Sequence, residues 1–328
     1  MLPLPPTGGM APCNKMTLTP CKSSPRKAIE GMKLTLTHRL HDSLELHYEG
    51  QTLFRYVYEP NDVPLESPRP YFHPLRTLRG NEVTAFRPDD HLWHKGLSMT
   101  ASNLSGQNFW GGRTYVRDTG YVQLDNNGRI QHREWQELSC DTTMRGVERL
   151  EWITSDGTRW LDEERQIAVS EIDPGGMYWS LDLVFRLVNI AGHPLVFGSP
   201  TTEGRPAAGY CGLFWRGPSS FLHGKILAAE GMEGPEIMGK ASPWLAFIGQ
   251  HDGNDEQSTL LFLDRPSNPR YPTQWFVRNT LYPGVSYAFM FDETYTLQPN
   301  EAVTLTYRLV LGSGEWSRAR IEEYIATC

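Results

Sequence analysis

Residues 34–60 read LTLTHRLHDSLELHYEGQTLFRYVYEP. Apolar and polar side chains alternate along this stretch, and Glu49-Gly50 interrupts the alternation, as where two strands meet at a tight turn. Successive side chains of a strand point to opposite faces, so the pattern predicts an antiparallel meander with one face buried. Similar runs recur downstream: Tyr121 to Leu124, Arg129 to Ser139, Val147 to Thr154, Trp160 to Ile172 and Tyr178 to Asn189. Trp244 to Gly249, Thr259 to Leu263, Gln274 to Val277, Val285 to Phe291 and the late run VTLTYRLVLGSG (303–314) continue the series. Glu82 to Phe86 reads as a short strand after a turn at Leu78 to Asn81, and Gly198 to Gly217 reads as a long Gly/Pro loop. Only Ser317 to Ile325 has helical spacing, through Ile321, Tyr324 and Ile325. The expected fold class is all-β, an antiparallel β-sandwich with a short C-terminal helix.

The 30 glycines and 24 prolines among 328 residues agree with this, because both residues punctuate helices. A net charge of -7 without a basic block lacks the electrostatic footprint of nucleic-acid binding. Cys13, Cys21, Cys140, Cys211 and Cys328 are odd in number, widely spaced and without a CxxC pair, which favours a reducing compartment over a disulfide framework. No apolar run reaches the roughly 18 to 20 residues of a spanning helix, and the N-terminus lacks the apolar core of a secretory signal. A cytoplasmic protein without membrane partners is therefore expected. Residues 1–31, rich in Pro, Thr, Ser and Lys and without periodicity, read as a disordered tail ahead of one domain over 32–328. Exposed strand edges leave homo-oligomers open.

The chemistry is concentrated between Tyr71 and Arg117, which holds His73, His91, His94, Asp89, Asp90, Trp93, Trp110 and the Gly111-Gly112 turn. His91 and His94 share a face on a helix but oppose each other on a strand, so a metal pair needs irregular backbone there; with His73 they form a candidate set for a divalent metal. The metal-free reading makes His91 and His94 an acid/base pair, with His73 assisting and Asp90 orienting His91. Lys95 either binds an anionic or hydroxyl-rich ligand or faces solvent, and Asn108 and Trp110 are candidate ligand contacts. A second cluster contains Glu203, Arg205, Tyr210, Trp215 and Arg216. Aromatic faces stack on sugar C–H surfaces while guanidinium and carboxylate groups take hydroxyls; Glu203 adds a partner acid or base. His38, His41 and His47 read as structural, and His132, His193, His223 and His251 have no partner visible in sequence. No GxSxG elbow, P-loop or dinucleotide fingerprint occurs.

The phrases PYFHPLRTL (70–78), RPDDHLWHKGL (87–97), NFWGG (108–112), EGRPAAGYCGLFWRGP (203–218) and FDETYTLQPNEAVTLTYRLVLGSG (291–314) resemble the bacterial family labelled "methane oxygenase PmoA", over roughly Lys33 to Gly314. That resemblance implies a supersandwich similar to galactose mutarotase and carbohydrate-binding folds, and a setting in sugar metabolism. The label itself implies a metal-dependent oxygenase, although a particulate methane monooxygenase subunit spans the membrane and this chain has no segment for that. The expected function is a carbohydrate-active enzyme working on a sugar or oxidised sugar by proton transfer, as an epimerase, lyase or hydrolase. The alternatives are a non-catalytic carbohydrate-binding protein and the oxygenase of the label.

Overall fold

The structure, a computed structural model, describes residues 34–328. The tail expected over 1–31, with Cys13 and Cys21, lies outside them. Two antiparallel sheets of eight strands dominate. The first is ordered Leu34–Arg39, Ser43–Tyr48, Gln51–Val57, Tyr71–Leu75, Leu97–Thr100, Gly212–Arg216, Gly284–Tyr287 and Trp275–Arg278. The meander of residues 34–60 forms one side of it, with Leu36 opposite Leu46 and Leu46 opposite Phe54. The second is ordered Lys225–Ala228, Trp244–Gln250, Gln257–Leu263, Ala302–Ser313, Tyr178–Asn189, Arg159–Asp173, Met144–Ile153 and Arg129–Cys140. Tyr295–Leu297, Leu195–Gly198 and Asn103–Leu104 make a small third sheet, and Thr114–Val116 pairs with Gly120–Val122.

The two large sheets share one core. Trp215 of the first packs its ring 5.1 Å from Phe247 and 5.7 Å from Phe262 of the second, and Tyr287 lies 4.1 Å from Tyr307. A polar network also crosses this core. Tyr56 Oη donates to Glu148 at 2.5 Å, Arg165 donates to Tyr56 Oη and to Glu163, and His132 Nδ1 lies 2.7 Å from Glu148. His132 thus has a partner that its sequence neighbours did not reveal, and so does His251, 2.7 Å from Ser258. The C-terminal helix Arg318–Ala326 starts one residue later than expected because Ser317 is its N-cap, accepting from Arg320 N.

Two local expectations change. Glu82 to Phe86 is not a strand: Glu82 and Phe86 form only isolated bridges, to Arg76 and Lys95. Conversely, the stretch expected as a loop over Gly198 to Gly217 ends in the strand Gly212–Arg216, which is wholly buried and holds the middle of the first sheet between Leu97–Thr100 and Gly284–Tyr287. A strand covered on both faces has no alternation of polarity to mark it.

Candidate active site

That strand sorts the site. Side chains alternate along it, so Trp215 enters the core while Phe214 and Arg216 face the other way, where Phe214 lies 4.9 Å from the ring of His94 and 4.6 Å from Trp110. On this outer face the loops between strands enclose a cavity of about 310 Å³. Its walls are aromatic, from Trp93, Trp110, Tyr121, Tyr210 and Tyr282, and its polar lining comes from His91, His94, Arg113, Arg205, Arg278 and Gln123. No Asp or Glu lines it.

The two histidines come from a turn that Pro88 opens: His91 N donates to Pro88 O and His94 N to His91 O, both at 2.9 Å. This irregular backbone brings residues three apart onto one side and stacks the imidazoles, with centroids 4.3 Å apart and planes within 6°. Their outer nitrogens are tied to one ion pair. Arg216 Nη2 donates to Asp90 Oδ1 and Oδ2 at 2.9 and 3.0 Å, and its Nη1 lies 3.0 Å from His94 Nδ1. Asp90 Oδ2 lies 2.9 Å from His91 Nδ1.

These contacts fix both tautomers, because a guanidinium only donates and an ionised carboxylate only accepts. His94 Nδ1 therefore accepts, leaving its proton on Nε2; His91 Nδ1 donates, leaving a lone pair on Nε2. Burial pushes His94 well below its ordinary pKa, and His91 and Arg216 beside it add to the effect, so it stays neutral. Burial also lowers His91, with Asp90 resisting. For Asp90, burial alone acts upward, but the bonds to His91 and Arg216 hold it below its ordinary value. The result is two stacked neutral rings with opposite free ends. His94 lines the cavity, and its buried Nε2 has no hydrogen-bond partner among the described residues.

Behind the turn, Arg69 is buried and donates to Trp93 O at 2.7 Å, to Glu66 O and to Ser67 O. Facing the turn, Asn108 Oδ1 accepts from Trp110 N and Gly111 N at 2.9 Å each, and Asn108 Nδ2 donates to Gly112 O. Gly111 has φ +109°, and a Cβ there would sit 2.5 Å from Trp93 Cβ. Gly111→Ala is accordingly expected to cost about 1–3 kcal/mol through strain and overlap. A urea midpoint equal to wild type would show that Trp93 is free to move aside.

Of the sequence candidates, His91, His94, Trp110, Arg205 and Tyr210 line the cavity, with Asp90 and Arg216 bonded behind the imidazoles. Others are placed elsewhere. Lys95 neither reaches a ligand nor faces solvent; it is fully buried and ion-paired with Asp62 and Glu66. Trp215 is on the core side of its strand, donating to Val83 O. Asn108 spends its amide on the turn it braces. His73 stacks on Phe86, contacts Thr84 and is held down to about 4 by burial and the nearby Arg76 and Arg55. Glu203 accepts from Asn103. The proposed three-histidine set is therefore not assembled, and no group of three or more His, Cys, Asp or Glu placed for a metal ion occurs among the described residues. Arg113, Tyr121, Arg278 and Tyr282 were not anticipated. Tyr282 is flanked by both imidazoles, at 5.2 and 5.3 Å, and by Arg216 at 4.4 Å.

Fold and site together define an all-β antiparallel sandwich protein with a histidine- and arginine-lined cavity on the outer face of one sheet. Within that class, the chain belongs to the family described as "Family of unknown function (DUF6807)", whose model matches residues 43–326. This corrects the expected membership in the family labelled "methane oxygenase PmoA", for which no match is found. No curated protein matches the chain. Among solved structures, similar ones include an alpha-galactosidase from Lactobacillus brevis, 9% identical over 91% of this chain and 42% of that one, with a TM-score of 0.37. Another is a GH36 alpha-galactosidase from Geobacillus stearothermophilus in complex with stachyose, 12% identical over 87% of this chain and 41% of that one, with a TM-score of 0.35. The chain thus spans about two fifths of these enzymes' length, and a likeness this distant does not extend to chemistry. Among the described residues no helix is long and apolar enough to cross a membrane.

Proposed function

We propose that the protein is a carbohydrate-active enzyme that moves a proton at a carbon beside a carbonyl or carboxyl group of a sugar, as an epimerase or a β-eliminating lyase. The observation that carries this reading is the pair of stacked neutral imidazoles with opposite Nε2 states, fixed by the Asp90–Arg216 ion pair. His91 Nε2 is the base. The C–H bond breaks, its proton goes to His91 Nε2, and its electron pair enters the carbon framework, placing charge on the neighbouring oxygen. His94 Nε2–H donates to that oxygen, as a neutral imidazole can in a water-poor site. In an elimination the pair then expels the β-oxygen, which takes the proton back from His91; in an epimerisation the planar intermediate turns its other face to His91, which returns the proton to the carbon. The aromatic walls suit the C–H faces of a sugar ring. Hydrolysis is less well supported, since glycosidases commonly use two carboxylates flanking the bond and none lines this cavity.

Solvent deuterium uptake, followed by proton NMR over a panel of uronates, aldonates and keto-sugars in heavy water, tests the reading. The wild type is expected to exchange a carbon-bound proton in at least one compound, and His91→Ala to slow this by about 10²–10⁴-fold. Because burial lowers His91 from 6.5, the rate should hold down to that pH and decline only below it, as the base takes its own proton. A sugar that binds without any exchange would identify a binding module instead.

A further inference from the structure

The cavity contains more positive charge than the two histidines need. Arg113, Arg205 and Arg278 all line it, and none of the three forms an ion pair among the described residues. Arg205 stacks over Tyr121 at 4.9 Å and donates to its hydroxyl, which lies 2.7 Å from Tyr210 Oη. Arg278 lies over Tyr282 at 5.5 Å and over Phe276 at 5.2 Å, and its charge helps to lower both His91 and His94. The contrast with Arg216 is informative: that guanidinium, just behind the wall, is matched by Asp90. Elsewhere in this chain of net charge -7, the buried Arg308 and Arg165 are matched by Asp182 and Glu163, and the buried Arg69 is taken up by backbone carbonyls. Three unpaired guanidinium groups around one concave, aromatic space therefore make an anion-selective pocket. The buried, unpartnered His94 Nε2–H provides an independent donor at the same cavity.

We infer that the ligand is a sugar acid, whose carboxylate is held by Arg278 and Arg205 while its ring lies along the aromatic walls and its reacting C–H faces His91. This rests on the proton-transfer reading and names its substrate class. The two fit chemically: removing a proton beside a carboxylate develops a second negative charge on that group, and fixed guanidinium and imidazole donors are the groups that stabilise it. A planar carboxylate matches the guanidinium fork with two parallel hydrogen bonds.

Binding by titration calorimetry separates this from the catalytic reading, because it is measured in His91→Ala, which lacks the base and keeps the arginines. The probes are D-galacturonate, D-glucuronate, the neutral D-galactose and D-glucose, and D-glucose 6-phosphate. At least one uronate is expected to bind on the order of tenfold or more tightly than its neutral parent, with the preference falling as salt is added. Arg278→Gln, and separately Arg205→Gln should the first variant misfold, should erase most of that preference. Equal affinity for uronate and parent overturns the inference, as does a phosphate ester bound in preference to both uronates. Deuterium exchange in a neutral keto-sugar without any uronate preference would sink the sugar-acid assignment alone. Uronate binding without exchange in the wild type would uphold it and sink the catalytic reading.

Discussion

Asp90→Asn should abolish nearly all proton-transfer activity, by about 10³–10⁴-fold in kcat, while leaving ligand affinity within a few fold. Asp90 serves two donors, His91 Nδ1–H and Arg216. An amide has only one oxygen to offer. If that oxygen stays with Arg216, the amide N–H₂ faces His91 Nδ1, which must then accept, and the imidazole proton moves to Nε2. The base has become a donor. If the oxygen turns to His91 instead, the N–H₂ opposes the guanidinium, donor against donor. Either way the neutral amide removes the charge that matches Arg216, only 6% exposed, and that stabilises the imidazolium formed when His91 takes a proton. Exchange of carboxylate for amide behind a catalytic imidazole in a catalytic triad costs about 10⁴-fold in kcat by this tautomer route, with geometry preserved. The diagnostic result is therefore a loss in kcat with little change in KM, measured by deuterium exchange with whichever compound the wild type accepts. Activity within about tenfold of wild type would mean that His91 does not depend on Asp90 for its proton position, and the assignment of His91 as base would fail.

Parts of this arrangement were legible in the chain. The alternation over residues 34–60 marks strands because one face of that meander is wet, and Pro88 signals the broken backbone that lets His91 and His94 come together. What sequence could not supply was the partner across the fold. Arg216 is 126 positions from Asp90 and meets it only because Gly212–Arg216 pairs with Leu97–Thr100. Gly212–Arg216 itself was hidden because it is buried on both sides and preceded by glycines and a proline. Without the strand its alternation is invisible, so Trp215 reads as a ligand contact although its neighbours Phe214 and Arg216 are the ones that face the site. Arg278 and Tyr282 were missed for a related reason: Trp275–Arg278 reaches the cavity through its pairing with Gly284–Tyr287, and nothing local in its sequence announces that. Lys95 reads as a ligand-facing or solvent-facing residue because a lysine is ordinarily exposed, and nothing beside it in sequence announces Asp62 and Glu66, the acids that keep it inside.

Removing Lys95 should cause the largest loss of stability. Its ammonium, 0% exposed, is paired with Asp62 and lies 3.0 Å from Glu66, whose other oxygen accepts from Arg87 at 2.6 Å. Breaking a buried pair by deleting one partner costs about 3–5 kcal/mol, chiefly because the remaining charge is left without compensation. Lys95→Met, which nearly keeps the volume, should therefore cost almost as much as Lys95→Ala, whereas a pure packing effect would make the methionine mild. The pH dependence gives a second signature. In the wild type, burial pushes Glu66 upward, but Arg87 and Lys95 overcome it and hold the carboxyl below 4.5, so its contribution is present above that pH and is lost as pH falls through the folded value. In Lys95→Met one of those cations is gone, Glu66 protonates at higher pH, and the variant is relieved as acid is added. Both trends narrow the gap, so the difference in unfolding free energy should shrink toward pH 4 and be widest near neutrality. The turn above is coupled to the same cluster, since Arg69 bridges Glu66 O and Trp93 O. Loss of Lys95 should thus also loosen the turn that sets the two imidazoles face to face and lower activity in the fraction that remains folded. A loss below about 1 kcal/mol that does not vary with pH would show that Asp62 and Glu66 are already satisfied without the lysine.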